Sequence, residues 1–258
     1  MKTTRIRIAV AALVAVIVTS IAAGVGSARS QAQITVLAAA SLTNVFPLID
    51  STPKYSFGGS DLLAAQIRLG APAHVFAAAN TTLPTQLYNA GLVEKPVVFT
   101  ANRLVLVVPK TNPAGIKTVF DLRKSGVKLL VGTPAVPVGS YTRAILKRLG
   151  ISTAVLANVV SQETDVRSIL GKVALGEADA GFVYITDANT VKGQVTVISL
   201  PGWAQPPVRY GIAVIKNTGN RADAVAFINK VLSAAGQSRL KAAGFGAVRN
   251  ITTSYVGG

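Results

Sequence analysis

From residue 34 onward, short apolar runs rich in β-branched residues alternate with runs of helical periodicity, and this alternation restricts the chain to an α/β fold with mostly parallel sheets. The pattern predicts strands at 34–39, 55–57, 74–78, 103–108, 129–131, 180–185 and 209–215. Helices are predicted over 42–49, 61–69, 82–90, 119–122, 140–149, 165–175, 222–232 and 236–243. Gly70, Gly91 and Gly150 stand where helix ends are expected, as C-terminal caps do. No repeat period is present. The two long strands, 103–108 and 209–215, bracket a middle block with its own alternation. That arrangement implies two lobes, one built from both chain ends and one from the middle.

The first 32 residues fall outside this pattern. Lys2, Arg5 and Arg7 precede an apolar stretch from Ile8 to Ile21, and small residues follow, with Ala28 and Ala32 as candidate ends of a cleavage site. This is the layout of a secretory signal peptide. A retained membrane anchor is the alternative, because the apolar stretch is close to a membrane span in length. Gly24, Gly26 and the Ser/Ala-rich exit favour processing. Export permits disulfides, yet the chain has no cysteine. A disulfide framework, a thiolate metal site, a cysteine nucleophile and a lipid anchor on an N-terminal cysteine are therefore excluded. The composition fits an exported bacterial protein of the periplasm or cell-surface space.

The formal net charge is +16, of which the first 32 residues supply four basic residues and no acid. The remaining basic residues are scattered singly, as at Lys110, Lys117, Arg123, Lys128, Arg143 and Lys147, with no basic run interleaved with aromatics. This reads as a solvated positive surface and not as a nucleic-acid interface.

Catalysis has little to work with. His74 is the one histidine and lies in a predicted strand, which favours a structural role. There is no nucleophile elbow, P-loop, dinucleotide fingerprint or clustered metal ligands. Glu163 and Asp165 could pair, but Asp165 precedes a helix, where an acid is favoured by the exposed N–H groups. One device recurs instead. Ser41 follows three alanines, Ser60 follows two glycines, Val138-Gly139-Ser140 follows "TPAVP", and Val166 follows Asp165, each at an expected helix start. Such starts present unpaired N–H groups. Taken singly they are ordinary caps; pointed together into a cleft they would hold an anion.

Six segments, in this order, resemble the periplasmic molybdate-binding protein family, the receptors of molybdate ABC importers. They are "AAASL" (38–42), "GGSDLLAAQIRLGAPAHVF" (58–76), "NRLVLVVP" (102–109), "VGTPAVPVGSY" (131–141), "DVRSIL" (165–170) and "EADAGFVYITDA" (177–188). The resemblance implies a type II periplasmic-binding-protein fold, with two lobes joined by two hinge strands. The first lobe would comprise 33–104 and 208–258 and the second 105–207, after a signal peptide of 1–32. It implies a monomer with no catalysis and no cofactor, which binds molybdate, and tungstate with it, and delivers the oxyanion to a membrane permease. Molybdenum would be held as an oxyanion and not as a cation.

The ligand positions that carry over are Ser41, Ser60, Val138, Val166 and Tyr184, with hydroxyls from the serines and the tyrosine and backbone N–H groups from the valines. Valine at 138 stands where the family has alanine; a backbone donor works with either. Asp61 follows a ligand serine where a neutral residue is expected, and is expected to point outward. His74 replaces an aspartate outside the ligand set and should alter only local hydrogen bonding. A shell of donors alone suits a fully deprotonated dianion, which argues for molybdate, tungstate or sulfate over phosphate. The alternatives are a receptor for another tetrahedral oxyanion such as sulfate, or an enzyme acting on anionic substrates on a similar two-lobed fold.

Overall fold

The structure, a computed structural model, describes residues 33–248 and 254–255. The expected signal peptide of 1–32 lies outside the described residues. Ten strands and nine α-helices are present among the described residues.

The first sheet contains β1 (Thr35–Ala39), β2 (Lys54–Gly58), β3 (Val75–Ala78), β4 (Val97–Asn102) and β10 (Val208–Val214), in the order β2-β1-β3-β10-β4. The second contains β5 (Leu104–Pro109), β6 (Leu129–Gly132), β7 (Val159–Glu163), β8 (Ala180–Tyr184) and β9 (Val195–Ser199), in the order β7-β6-β8-β5-β9. β1 runs parallel to β2 and β3, and β6 to β7 and β8. β10 is antiparallel to both its neighbours, as is β5 to its own. Each sheet therefore has a single reversed strand, and the two reversed strands are the long apolar ones. The chain passes between the sheets twice, at 102–104 and between β9 and β10.

The helices are α1 (Phe46–Ile49), α2 (Ser60–Arg68), α3 (Thr82–Asn89), α4 (Pro137–Arg148), α5 (Ser152–Leu156), α6 (Val166–Ala174), α7 (Ile185–Ala188), α8 (Arg221–Leu232) and α9 (Ala234–Ala242). None among the described residues is long and apolar enough to cross a membrane. The continuous helix expected over 42–49 is broken into a 3₁₀ turn, Ala40–Leu42, and the short α1. Pro47 is the cause: it has no N–H to give and its ring crowds the carbonyl four residues back. α4 starts three residues earlier than expected, because Pro137 is tolerated in a first helical turn.

An aromatic chain ties the first lobe's core to the crossing region. Phe46 packs on Phe99 and Phe227, Phe99 on Tyr210, and Tyr210 on Tyr184, which belongs to the second sheet. Offset and edge-on ring contacts of this kind add to the burial they bring. Tyr184 and Tyr210, one from each sheet, are both buried at this contact.

Candidate functional site

One pocket lies where the two sheets' helix starts converge. Ser41, Ser60, Val138, Val166 and Tyr184 all line it, together with Ala39, Ala40, Gly58, Gly59, Ala79, Val136, Pro137 and Asp165. No lysine or arginine is among them.

On the first lobe, Ser41 sits in the 3₁₀ turn that ends β1, and Ser60 is the first residue of α2. The small residues 38–40 are buried in the sheet and leave the pocket wall without bulk. The Ala79 N–H donates to Ser60 Oγ at 3.1 Å. With a lone pair engaged in this way, the serine's single proton is left to point elsewhere.

On the second lobe, Pro137 opens α4 and has no N–H, so Val138 presents the first donor of that helix. Gly139 makes the close approach possible: a Cβ there would lie 1.9 Å from the Thr133 carbonyl oxygen. The Val138 side chain turns away to pack near Gly132, so its bulk is absorbed by the second lobe's core. Asp165 caps α6, its Oδ1 accepting from the N–H groups of Arg167 and Ser168 and its Oδ2 from the Ser168 hydroxyl. The carboxylate is thereby spent on its own helix, and the Val166 N–H at the first helical position stays outside the cap.

Tyr184 ends β8 and is buried, yet its hydroxyl has no hydrogen-bond partner. Burial holds its pKa well above the ordinary tyrosine value, so it remains a donor. A buried hydroxyl with no partner costs free energy, and a ligand that accepts from it removes that cost.

The lobes meet closely beside the pocket. A Cβ on Gly59 would lie 2.2 Å from the carbonyl oxygen of Thr164, across the cleft. Gly59 has ordinary extended backbone angles, so the glycine is required by this approach and not by the local conformation.

Asp61 does not line the pocket, and the residue is half-buried. Its Oδ1 is buried without a partner, close to Gly59 at the lobe contact. His74 is structural: its Nδ1 accepts from the Thr35 N–H at 2.9 Å, next to the β1–β3 pairing. Burial lowers its pKa, which keeps that nitrogen free of a proton. Glu163 pairs with Lys172 at 2.7 Å and accepts from Ser161, away from Asp165.

Sequence reasoning missed three residues around the pocket. Tyr210 touches Ser41 from a strand 169 residues later, and nothing local marks it. Asn102 lies in the "NRLVLVVP" segment and Asp187 in "EADAGFVYITDA", so both were within view, but their roles depend on burial. No side chain partners either Asp187 carboxyl oxygen, and burial pushes its pKa up to about 7.

Two α/β lobes joined by two crossings, with helix starts from both aimed into one cleft between them, define a solute-binding protein of the kind that closes on a small ligand. The family described as bacterial extracellular solute-binding protein matches residues 50–246. The molybdate-binding protein ModA of Mycobacterium tuberculosis is 38% identical over 230 residues, covering 85% of this chain and 87% of the relative. ModA of Escherichia coli is 34% identical, covering 74% of this chain and 80% of that one. The solved periplasmic molybdate-binding protein of Azotobacter vinelandii superposes with a TM-score of 0.74 at 23% identity, covering 84% of this chain and all of that one, and supports the fold. The chain is a bacterial extracellular solute-binding protein of the ModA family, and not an enzyme.

Proposed function

We propose that this protein captures molybdate, and tungstate with it, outside the cytoplasm and delivers it to the permease of an ABC importer. The observation that carries the reading is the unpartnered hydroxyl of buried Tyr184 in a pocket whose other candidate contacts are also donors. An oxyanion with only acceptor oxygens satisfies every one of them. The ligand shell in this reading is the hydroxyls of Ser41, Ser60 and Tyr184 and the backbone N–H groups of Val138 and Val166. Lobe 1 is taken as 33–104 with 208–258 and lobe 2 as 105–207, closing on the ligand as a hinged pair. The protein acts as a monomer, uses no cofactor, and has no nucleic-acid partner.

Titration calorimetry of residues 33–258 against molybdate, tungstate, sulfate and phosphate tests the reading. Heat is expected with the first two and not with phosphate; a sulfate signal stronger than molybdate would reassign the ligand. No heat with any oxyanion would remove the proposal. Ser41→Ala and Ser60→Ala are each expected to weaken molybdate binding by roughly 1.5–3 kcal/mol, the range for a hydrogen bond to a charged partner. Wild-type affinity in both variants would remove the serines from the shell.

Tyr184→Phe separates a ligand hydroxyl from a core one. Because the hydroxyl has no partner within the protein, its removal is expected to leave the unliganded melting temperature unchanged or raised while molybdate affinity falls. A lowered melting temperature at unchanged affinity would show that the hydroxyl serves the core.

A further inference from the structure

Asp165 and Asp61 both stand at helix starts beside the pocket, and their surroundings differ. The carboxylate of Asp165 is taken up by its own helix, through the Arg167 and Ser168 N–H groups and the Ser168 hydroxyl. Asp61 is the second residue of α2, directly after Ser60. Its side chain folds back over the start of the helix, where its Oδ1 is buried with no hydrogen-bond partner. Among the described residues it has no ion pair. What it meets instead is another acceptor. A Cβ on Gly59 would lie 2.9 Å from Asp61 Oδ1 and 2.2 Å from the Thr164 carbonyl oxygen, so the two oxygens crowd one small region where the lobes touch. One comes from each lobe. A carboxylate oxygen and a carbonyl oxygen can only accept, so neither satisfies the other.

We propose that Asp61 is an affinity-determining residue: its carboxylate opposes both the approach of the lobes and the dianion between them, and so holds affinity below what the donor shell alone would give. The inference rests on the reading of the pocket as an oxyanion site. When the lobes part, water reaches Oδ1. When they meet, that water is stripped and only the Thr164 carbonyl takes its place, which leaves a buried acceptor unpaired. The anion adds a second cost. Ser60, a candidate ligand, is the preceding residue in the chain, and the charge of Asp61 repels a dianion held there across a region with little water to screen it. The carboxylate also favours the start of its own helix. That gain is present with the lobes apart or together and cancels between the two arrangements, whereas the penalty does not. A residue that resists the closed, loaded form speeds its opening, which suits a carrier that must give up its ligand.

The test is molybdate titration of two variants, with the dissociation rate measured alongside. Asp61→Asn keeps the shape and removes the charge; Asp61→Ala removes the charge and supplies no donor. Both are expected to bind molybdate more tightly than the wild type, by roughly tenfold for Asp61→Asn, the equivalent of one relieved buried acceptor. The side chain is half-buried and can turn partly aside, which keeps the effect at that size. Dissociation should slow by a similar factor, because the penalty acts on the closed form. The unliganded melting temperature should stay level or fall slightly, as α2 loses an acid from its first turn. Affinity at or below that of the wild type in both variants would overturn the proposal. A gain in Asp61→Asn alone would overturn it too, since it would then come from a new donor to Thr164 and not from the lost charge. Failure of the wild-type protein to bind molybdate would instead overturn the reading of the pocket on which the proposal rests.

Discussion

Gly59→Ala is expected to lower molybdate affinity at least about 100-fold while leaving the unliganded protein folded and as stable as the wild type. The added methyl carbon would stand 2.2 Å from the Thr164 carbonyl oxygen, on the opposite lobe. That oxygen belongs to backbone beside the cap of α6 and cannot swing aside as the end of a flexible side chain could. The lobes would have to stay apart, and donors from the second lobe could not reach an anion held by Ser41 and Ser60. Losing two or more hydrogen bonds to a charged ligand, at roughly 1.5–3 kcal/mol each, covers the roughly 2.8 kcal/mol that corresponds to 100-fold. Opening relieves the Thr164 contact; on the same lobe the methyl lies 2.9 Å from Asp61 Oδ1, the end of a side chain that can turn aside, and the backbone at Gly59 is in the extended region available to any residue. Calorimetry with molybdate and thermal melting of the unliganded protein decide the matter. Wild-type affinity would show that binding does not need this approach of the lobes.

The second large effect is on stability and its dependence on pH. Asp187 is buried in α7 with no side chain partnering its carboxyl oxygens, and its pKa is pushed up to about 7. Burial is the largest cause; the field of Arg167 opposes it, that of Asp165 adds to it, and the backbone N–H groups nearby lower it slightly. In the unfolded chain the same group has its ordinary value near 3.8. The folded state therefore keeps a proton that the unfolded state releases as pH rises. The group costs nothing below about pH 4, and an increasing amount between there and about pH 7, where the loss levels off. The full loss is roughly 4 kcal/mol at 1.36 kcal/mol per pKa unit. Asp187→Asn, which has nearly the same shape and cannot ionise, should match the wild type at pH 4 and exceed its stability by a few kcal/mol at pH 8. Urea unfolding at both pH values measures it, and equal curves at pH 8 would show that the carboxylate finds a partner when ionised. The neutral form also suits the site, because Asp187 is three residues from Tyr184 and an ionised carboxylate there would repel a dianion.

Much of the architecture was legible in the sequence, and what was missed shares a cause. The strands at 97–102, 159–163 and 195–199 were not expected, and all three are edge strands. An edge strand is paired on one side only and tolerates polar residues facing solvent, so its apolar signal is weak. β7, for example, reads Val159-Val160-Ser161-Gln162-Glu163, and only Glu163 is buried. The central strands, buried on both faces, carried the clear signal, as in Leu104–Pro109. The five candidate ligand positions came to one pocket because each is defined locally, by a strand end or a helix start, and the α/β order brings such ends together at one rim of each sheet.

The amino-acid sequence by itself determined the layer architecture, the two lobes' strand-helix order and the positions where backbone donors would be exposed. Those depend on periodicity and on caps, which are written within a few residues of one another. Only the tertiary structure decided which side chains stand behind the donors and which acid is neutral. Tyr210 meets Ser41 from a strand 169 residues later, and Asn102 in turn donates to Tyr210. The charge state of Asp187 follows from how completely the surrounding chain excludes water from it. Hydrogen-bond partners and desolvation are properties of the packed neighbourhood, and a neighbourhood assembled from remote segments leaves no local mark in the chain.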